Sequence, residues 1–287
     1  MGVGSLTVVG TGYGGCGQIT LESCNVIETA EKVLFLAEST STADWIRLAN
    51  STSESLFPFY SGRSNRLQTY LEMTEYILSF VRQKLELCVV FYGHPGVFVF
   101  PSHEAIVRAR QEGFEARMLP AISAEDCLFS DLGVDPGRRG CQSFEATDFL
   151  VRKRAIHIGV PLILWQIGSL GRVEHTSNRE NPHIPILVEV LQSSYEPKHE
   201  VVVYEAASHP KCDPVIEFIS LDRLAGAVIT PISTLYVPPK EDTLIDSEMA
   251  HRLGIPEHYL SSSAKHAFHY SVSRPYAAAK PRRWDTP

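Results

Sequence analysis

Short β-branched runs alternate with amphipathic helical stretches along the first 120 residues of this 287-residue chain. Strands are expected at Leu6–Gly10, Val33–Glu38, Leu56–Tyr60, Cys88–Tyr92 and Ala116–Leu119, with helices near Ile19–Ala30, Gln68–Gln83 and His103–Glu112. Parallel neighbours need a crossover, and a helix supplies one, so this alternation predicts an α/β fold with a largely parallel sheet. The first four runs close on Gly, polar or aromatic residues, where loops at the carboxyl ends of strands build a ligand crevice.

A second module follows Pro120. Ser123 is expected as an N-cap, with Asp126 at the fourth position of a near capping box and a helix running toward Asp131. Further strands are expected at Gln142–Glu145, Leu162–Ile167, Val201–Glu205, Val215–Ser220 and Ile229–Val237, interrupted by a helix at Ile186–Tyr195. This strand-rich half suits a mixed sheet. Pro238-Pro239 closes the compact region, and Asp246–Leu253 suits a short helix. Ser261–Pro287 carries Lys265, Arg274, Lys280, Arg282 and Arg283 against Asp285 and lacks an apolar stripe, so it reads as a basic, mobile tail.

Composition narrows the function classes. A hydrophobic share of 44% fills the cores of one large or two modest domains. A net charge of −7 argues against general nucleic-acid binding. No apolar run reaches the ~20 residues that span a bilayer. Met1-Gly-Val-Gly-Ser enters a strand without a basic n-region, so neither a membrane segment nor a signal peptide is expected. Cys16, Cys24, Cys88, Cys127, Cys141 and Cys212 form no CxxC pair, and reduced thiols in a cytoplasmic protein are the simplest reading. His266 and His269 lack further ligands, and His103-Glu104 lacks a histidine at zincin spacing, so no metal site is expected.

Gly10-Thr11-Gly12-Tyr13-Gly14-Gly15 lies between a strand and a helix and fits G-x-G-x-x-G, with Glu38 where a dinucleotide fold often places a ribose-binding acid. On this feature alone, a nicotinamide or flavin enzyme and a plain tight turn both stay open. Tyr92-Gly93-His94-Pro95-Gly96-Val97-Phe98 is more specific. Its two glycines and proline force an irregular backbone at a strand's carboxyl end, where the main chain can approach a ligand closely. His94 is expected to shape this loop as a hydrogen-bond donor, and Cys16 and Cys127 to serve in packing.

Here the sequence resembles the tetrapyrrole methylases, whose fourth strand ends in a G-x-P-G-type loop around S-adenosylmethionine. Leu119-Pro-Ala-Ile-Ser-Ala-Glu-Asp stands at the family's P-G-x-S-[SA] loop, with Ala121 replacing the common Gly. Trp165-Gln166-Ile167, Tyr204-Glu205-Ala206 and Thr230-Pro-Ile-Ser-Thr234 follow in the family's order, so the resemblance covers roughly residues 6–240. It implies a two-domain tetrapyrrole-methylase, or class III methyltransferase, fold. The expected organisation is 1–120, an α/β domain with donor and catalytic loops; 121–240, an α/β domain completing the cofactor cleft; and 241–287, a short helix and the tail. The donor-binding residues implied are Gly12, Tyr92, His94, Pro95, Val97, Phe98, Ser123, Ala124, Gln166, Tyr204, Ser233 and Thr234.

The acceptor clue is the run from Leu56 to Met73. Tyr60, Arg66 and Tyr70, together with Tyr92, offer phenols and a guanidinium; Arg66 and Tyr70, four apart, share a helix face if the helix has begun by Arg66. With FYGHPGVF, ISAEDCL, DLGVDPG and SFEATDFL, this closely resembles the borosin α-N-methyltransferases, in the bacterial-type split arrangement with a separate precursor peptide. Phe57 stands where fungal relatives often carry Tyr. The resemblance implies iterative backbone-amide methylation, with Arg66 and a tyrosine on the carbonyl oxygen and Tyr70 or Tyr60 taking the amide proton. It also implies a homodimer binding precursor two-plus-two. A tetrapyrrole C-methyltransferase and a non-catalytic precursor-binding scaffold are the alternatives.

Overall fold

The computed structural model describes residues 4–61, 65–172, 181–209, 211–240 and 244–256, so the tail reading lies outside the described residues. The chain divides into two compact units. One comprises Met1–Cys127 with Arg172–Asn178 and Ala206–Pro214; the other comprises Leu128–Gly171, Arg179–Glu205 and Val215–Pro287.

The first unit is built on a five-stranded parallel sheet: β1 (Ser5–Gly10), β2 (Lys32–Leu36), β3 (Glu54–Ser55), β4 (Glu86–Phe91) and β5 (Glu115–Met118), in the order β3-β2-β4-β1-β5. Its strands are near-continuous apolar runs because both faces are covered. Leu6, Val8, Leu34, Leu36, Leu87, Val89 and Phe91 face α3 (Arg66–Arg82) and α4 (Phe100–Gln111), whose Met73, Ile77, Leu78, Val81, Ala105, Ile106 and Ala109 complete that core. The alternate residues Val9, Val33, Phe35, Cys88 and Val90 pack with Ile27 of α1 (Leu21–Thr29) and Ala43 and Ile46 of α2 (Thr40–Ala49).

This arrangement creates the crevice. β1 and β4 are hydrogen-bonded neighbours with Gly10 opposite Phe91. The chain leaving β1 proceeds to α1 on one face, and the chain leaving β4 proceeds to α4 on the other. Two adjacent strands whose connections part to opposite faces open a gap at their carboxyl ends.

The run Leu56–Tyr60 is not a strand. Pairing stops at Ser55, and Phe57–Ser61 forms a 3-10 turn with Phe59 N–H donating to Leu56 C=O at 3.2 Å. Pro58 has no N–H for a ladder, and the turn buries Leu56 while leaving Phe57 exposed. Tyr60 therefore stands in the turn and does not close β3.

The second unit holds β6 (Gln142–Glu145), β7 (Leu162–Trp165), β8 (Glu200–Glu205), β9 (Val215–Ser220) and β10 (Thr234–Val237) in the order β6-β7-β10-β8-β9. β6–β7 is parallel and the other pairs antiparallel, as a mixed sheet requires. β7 ends earlier than expected because Gln166 adopts a left-handed backbone, φ 57°. The run Ile229–Val237 pairs only from Thr234, since Ser233 N–H first closes a turn onto Thr230 C=O at 3.0 Å. Helix α5 (Ala124–Leu132) leads from the first unit's chain into the second, and short helices α6 (Pro136–Arg139) and α7 (Ala146–Val151) follow. α8 (Ile184–Gln192) packs Ile184, Leu187 and Leu191 on the core with Leu164, Val203 and Leu235. α9 (Ser247–Arg252) carries Asp246 as its N-cap. Among the described residues, no helix is long and apolar enough to cross a membrane.

Candidate active site

The loops after β1 and β4 are stitched together at the crevice. Gly12 N–H donates to Gly93 C=O at 3.2 Å, and Gly93 N–H returns a bond to Gly12 C=O at 2.9 Å. Both glycines have positive φ, 70° and 69°, which side chains disfavour. Gly10 is equally constrained, because a Cβ there would lie 2.2 Å from Gly93 C=O and 2.6 Å from Ala121 Cβ. The family's missing glycine at 121 thus places a methyl directly against this stitch.

The glycine loop is not a phosphate cradle. The N–H groups of Tyr13 and Gly14, which a pyrophosphate would need, donate to Gln18 Oε1 at 2.7 and 2.8 Å. The N-terminus of α1 is closed by its own cap, Ser23 N–H donating to Thr20 Oγ1 at 3.1 Å. With these amides satisfied from within, the glycines serve chain packing and the dinucleotide reading loses its physical basis.

In the β4 loop, Gly96 N–H donates to His94 Nδ1 at 2.9 Å, so His94 shapes the turn as an acceptor and not as the expected donor. Ser102 and His103 of α4 bond to the carbonyls of Pro95 and Gly96. The anchors are thus supplied from below, while Tyr92, Val97 and Phe98 remain 36–50% exposed at the crevice. Phe98 holds φ 57°, an uncommon state for a bulky residue.

Tyr60, Arg66, Tyr70 and Tyr92 are brought within electrostatic reach of one another. Arg66 opens α3 and Tyr70 follows one turn later, which places them on one face. Burial raises the pKa of the Tyr60 phenol above its ordinary value; the charges of Tyr70 and Tyr92 add to the rise, and Arg66 opposes it. Burial also raises that of Tyr92, with Tyr70 and Glu38 adding and Arg66 opposing. Both phenols therefore stay protonated at neutral pH, as hydrogen-bond donors. Tyr70 stacks on Phe100 at 6.1 Å between ring centroids, and Phe57 rests against Tyr60 at 6.3 Å.

Three residues of this site escaped the sequence as contributors. Tyr13 sets its ring edge-on to Tyr92, 6.1 Å apart at 78°, and covers Gly93 so closely that a Cβ there would lie 2.7 Å from the ring. Gln18 braces the glycine loop. Glu38 follows β2 and accepts from Thr42 Oγ1 at 2.7 Å, Ser39 Oγ at 3.3 Å and Thr11 Oγ1 at 3.4 Å. Only Glu38 carried a sequence signal, and that signal pointed to a ribose.

Ser123 and Asp126 form the expected reciprocal cap: Ser123 N–H and Oγ donate to Asp126 Oδ2 at 2.7 and 2.6 Å, and Asp126 N–H returns a bond at 3.2 Å. Ala124 opens α5 beside it. In the second unit, Ser233 Oγ and Thr230 Oγ1 both donate to Glu205 Oε1 at 2.5 Å. Tyr204 is fully buried with its hydroxyl donating to Asp131 at 2.8 Å, and Thr234 is nearly so. The side chains of Ser123, Tyr204 and Ser233 thus already hold protein partners.

Residues 5–217 match the model of the Tetrapyrrole (Corrin/Porphyrin) Methylases. The chain belongs to this family. Among solved structures, this tetrapyrrole methylase is similar to a uroporphyrin-III-C-methyltransferase from Thermus thermophilus, with a TM-score of 0.59, 19% identity and coverage of 82% of this chain and 92% of that one. The likeness establishes the class III methyltransferase fold. Among curated relatives, a methyltransferase/ribosomally synthesized cyclic peptide dendrothelin A precursor of Dendrothele bispora is 43% identical over 251 residues, 86% of this chain and 60% of its own. A methyltransferase/ribosomally synthesized type I borosin cyclic peptide precursor of Coprinopsis marcescibilis is 41% identical over 244 residues, 83% of this chain and 62% of its own. This chain therefore spans about 60% of the length of the curated relatives it matches.

Proposed function

We propose that this chain transfers methyl groups from S-adenosylmethionine to backbone amide nitrogens of a ribosomally made peptide, repeating the step along it. The observation that carries the reading is the placement of Tyr60 in the turn after β3, Arg66 and Tyr70 one turn apart on α3, and Tyr92 just beyond β4, next to the Gly12–Gly93 stitch. The relatives' names, which join a methyltransferase to a cyclic peptide precursor, support it.

The crevice fits such a donor. Residues 10–18 carry no charged side chain, and the amides of Tyr13 and Gly14 are closed by Gln18, which disfavours phosphate. The exposed apolar surface of Val97 and Phe98 suits a nucleoside, and the Glu38 carboxylate suits a cation. Gly12, Tyr92, His94, Pro95, Val97, Phe98, Ser123 and Ala124 of the first unit would hold it, the polar ones largely through backbone. Gln166, Tyr204, Ser233 and Thr234 of the second unit are proposed as donor-binding on the family resemblance. When bound, the donor supplies an electrophilic methyl on a sulfonium.

An amide nitrogen is a poor nucleophile because its lone pair is shared with the carbonyl. Arg66 and the neutral Tyr60 phenol donate to the carbonyl oxygen, favour an imidate-like acceptor and stabilise the charge that develops there. Tyr70 faces the amide N–H and takes its proton as the nitrogen attacks. Holding the nitrogen in line is the remaining requirement.

The finer proposal is that the acceptor is a separate precursor peptide bound by a homodimer in a two-plus-two complex. Residues 261–287 are themselves poor acceptors, since prolines 275, 281 and 287 have no N–H and five basic residues would meet a cationic donor. The test is to incubate the full chain with labelled S-adenosylmethionine and a synthetic peptide covering the dendrothelin A segment of the Dendrothele bispora precursor. Label in the peptide and none in the chain supports both statements; label in residues 261–287 overturns the separate-acceptor reading, and no label in either overturns the activity.

A further inference from the structure

In the run Gly12-Tyr13-Gly14, the Gln18 side chain closes the space at both glycines. A Cβ at Gly12 would lie 2.5 Å from Gln18 Cβ, and one at Gly14 would lie 2.9 Å from Gln18 Nε2. Position 13 between them carries a tyrosine, and its ring lies over Gly93. The glycine at 93 makes room for that ring, since a Cβ there would lie 2.7 Å from Tyr13 Cε2 and 3.3 Å from Tyr13 Cζ.

Next to Gly93 stands Tyr92, 39% exposed at the crevice. Tyr13 meets it edge-on, with 6.1 Å between ring centroids and 78° between the planes. Such pairs attract because the positive edge of one ring faces the negative face of the other. An exposed side chain otherwise changes rotamer within picoseconds to nanoseconds. A group that acts at a reacting atom has to be held to about 0.5 Å. We propose, resting on the peptide-methylation reading above, that Tyr13 is a positioning residue: its ring holds the Tyr92 side chain in the orientation that presents the phenol to the reacting amide.

The brace is itself anchored through the main chain. Gln18 Oε1 accepts from Tyr13 N–H at 2.7 Å and from Gly14 N–H at 2.8 Å. Gly12 and Gly93 exchange backbone hydrogen bonds at 3.2 and 2.9 Å. The residue before Tyr13 is therefore tied to the residue after Tyr92, and the two rings stand on one bonded stretch of backbone. Tyr92 N–H also donates to Leu36 C=O at 3.1 Å, which ties the phenol's own residue to the end of β2. Burial raises the pKa of the Tyr13 phenol above its ordinary value, and Tyr92 adds to the rise, so Tyr13 offers no base of its own. Its part lies in the ring.

The test is a double-mutant cycle on Tyr13 and Tyr92 in the full chain, with the dendrothelin A segment peptide as probe. Tyr13→Ala should lower the single-turnover rate at saturating S-adenosylmethionine and peptide by about 10-fold, the scale of one aromatic pair. Donor affinity by calorimetry should stay within a few fold, because the Gly12–Gly93 bonds remain. Tyr13→Phe, which restores the ring without the hydroxyl, should recover the rate. In a Tyr92→Phe background, Tyr13→Ala should cost little more, since the phenol it positions is already gone. Additive losses in the cycle would overturn the proposal, as would wild-type rate in Tyr13→Ala or in Tyr92→Phe. A loss confined to donor or peptide binding, or one as large in Tyr13→Phe as in Tyr13→Ala, would also overturn it. Methyl transfer absent in the wild-type chain would instead overturn the function on which it rests.

Discussion

Gly12 and Gly93 exchange backbone hydrogen bonds in both directions, at 3.2 and 2.9 Å, and so lock the loop after β1 to the loop after β4. Each has φ near +70°, and the Tyr13 ring fills the space a side chain at 93 would need. Gly93→Ala should lower stability by about 1–2 kcal/mol from the left-handed backbone alone, with the Tyr13 contact at 2.7 Å adding to it. Chemical denaturation measures this, and S-adenosylmethionine affinity should fall in parallel. An unchanged midpoint and affinity would show that the two loops are held by other contacts.

Gln18 separates a donor site from a dinucleotide site. Calorimetry should show S-adenosylmethionine and S-adenosylhomocysteine binding, with NAD, NADP and FAD inert, because the amides of Tyr13 and Gly14 already donate to Gln18 Oε1. Gln18→Ala frees those amides and should weaken donor binding several-fold. Saturable NAD binding by the native chain would refute this account of the loop.

Arg66 and Tyr70 share one face of α3 and should act on rate more than on donor binding. Arg66→Ala and Tyr70→Phe should each lower methyl transfer by about 10²–10³-fold, with donor affinity within a few fold. Arg66→Lys should not restore it, since Lys lacks the planar fork that can meet two oxygens. Near-normal turnover in both variants would reduce the pair to structural residues.

Much of the architecture was legible in the sequence. β1 and β4 are buried on both faces, so they read as continuous apolar runs, and Ser123 announced its cap through Asp126. Leu56–Tyr60 was misleading because its apolar composition is that of a strand while Pro58 forbids the ladder. Helix α2 was missed: Thr40-Ser-Thr opens it with poor helix formers, and its start depends on Ser39 Oγ accepting from Thr42 N–H at 3.2 Å. The order β3-β2-β4-β1-β5 depends on long-range pairing, and local pattern does not encode it. At the site, Arg66 and Tyr70 were visible by spacing. Tyr13 and Gln18 were not, because one filled a variable position of a glycine motif and the other acts through a side chain folding back onto its own loop.

Tyr195 is a flaw in the core of the second unit. It is 2% exposed, packs on His199 with 4.9 Å between ring centroids, and among the described residues its hydroxyl has no hydrogen-bond partner. A buried hydroxyl without a partner costs about 1–3 kcal/mol, so Tyr195→Phe should stabilise the chain by about 1 kcal/mol. Urea unfolding checks the direction. A destabilised variant would mean that the hydroxyl is satisfied in solution.

The central claim is that the acceptor atom is a peptide backbone nitrogen, and tandem mass spectrometry of the dendrothelin A segment peptide after reaction with the full chain and S-adenosylmethionine tests it most directly. The account predicts successive additions of one methyl mass, each fragmenting as an N-methylated backbone amide, and their near-disappearance in Arg66→Ala. Unmodified peptide, or methyl groups confined to side chains, alongside methylation of a porphyrinoid carbon in a parallel reaction, would contradict it.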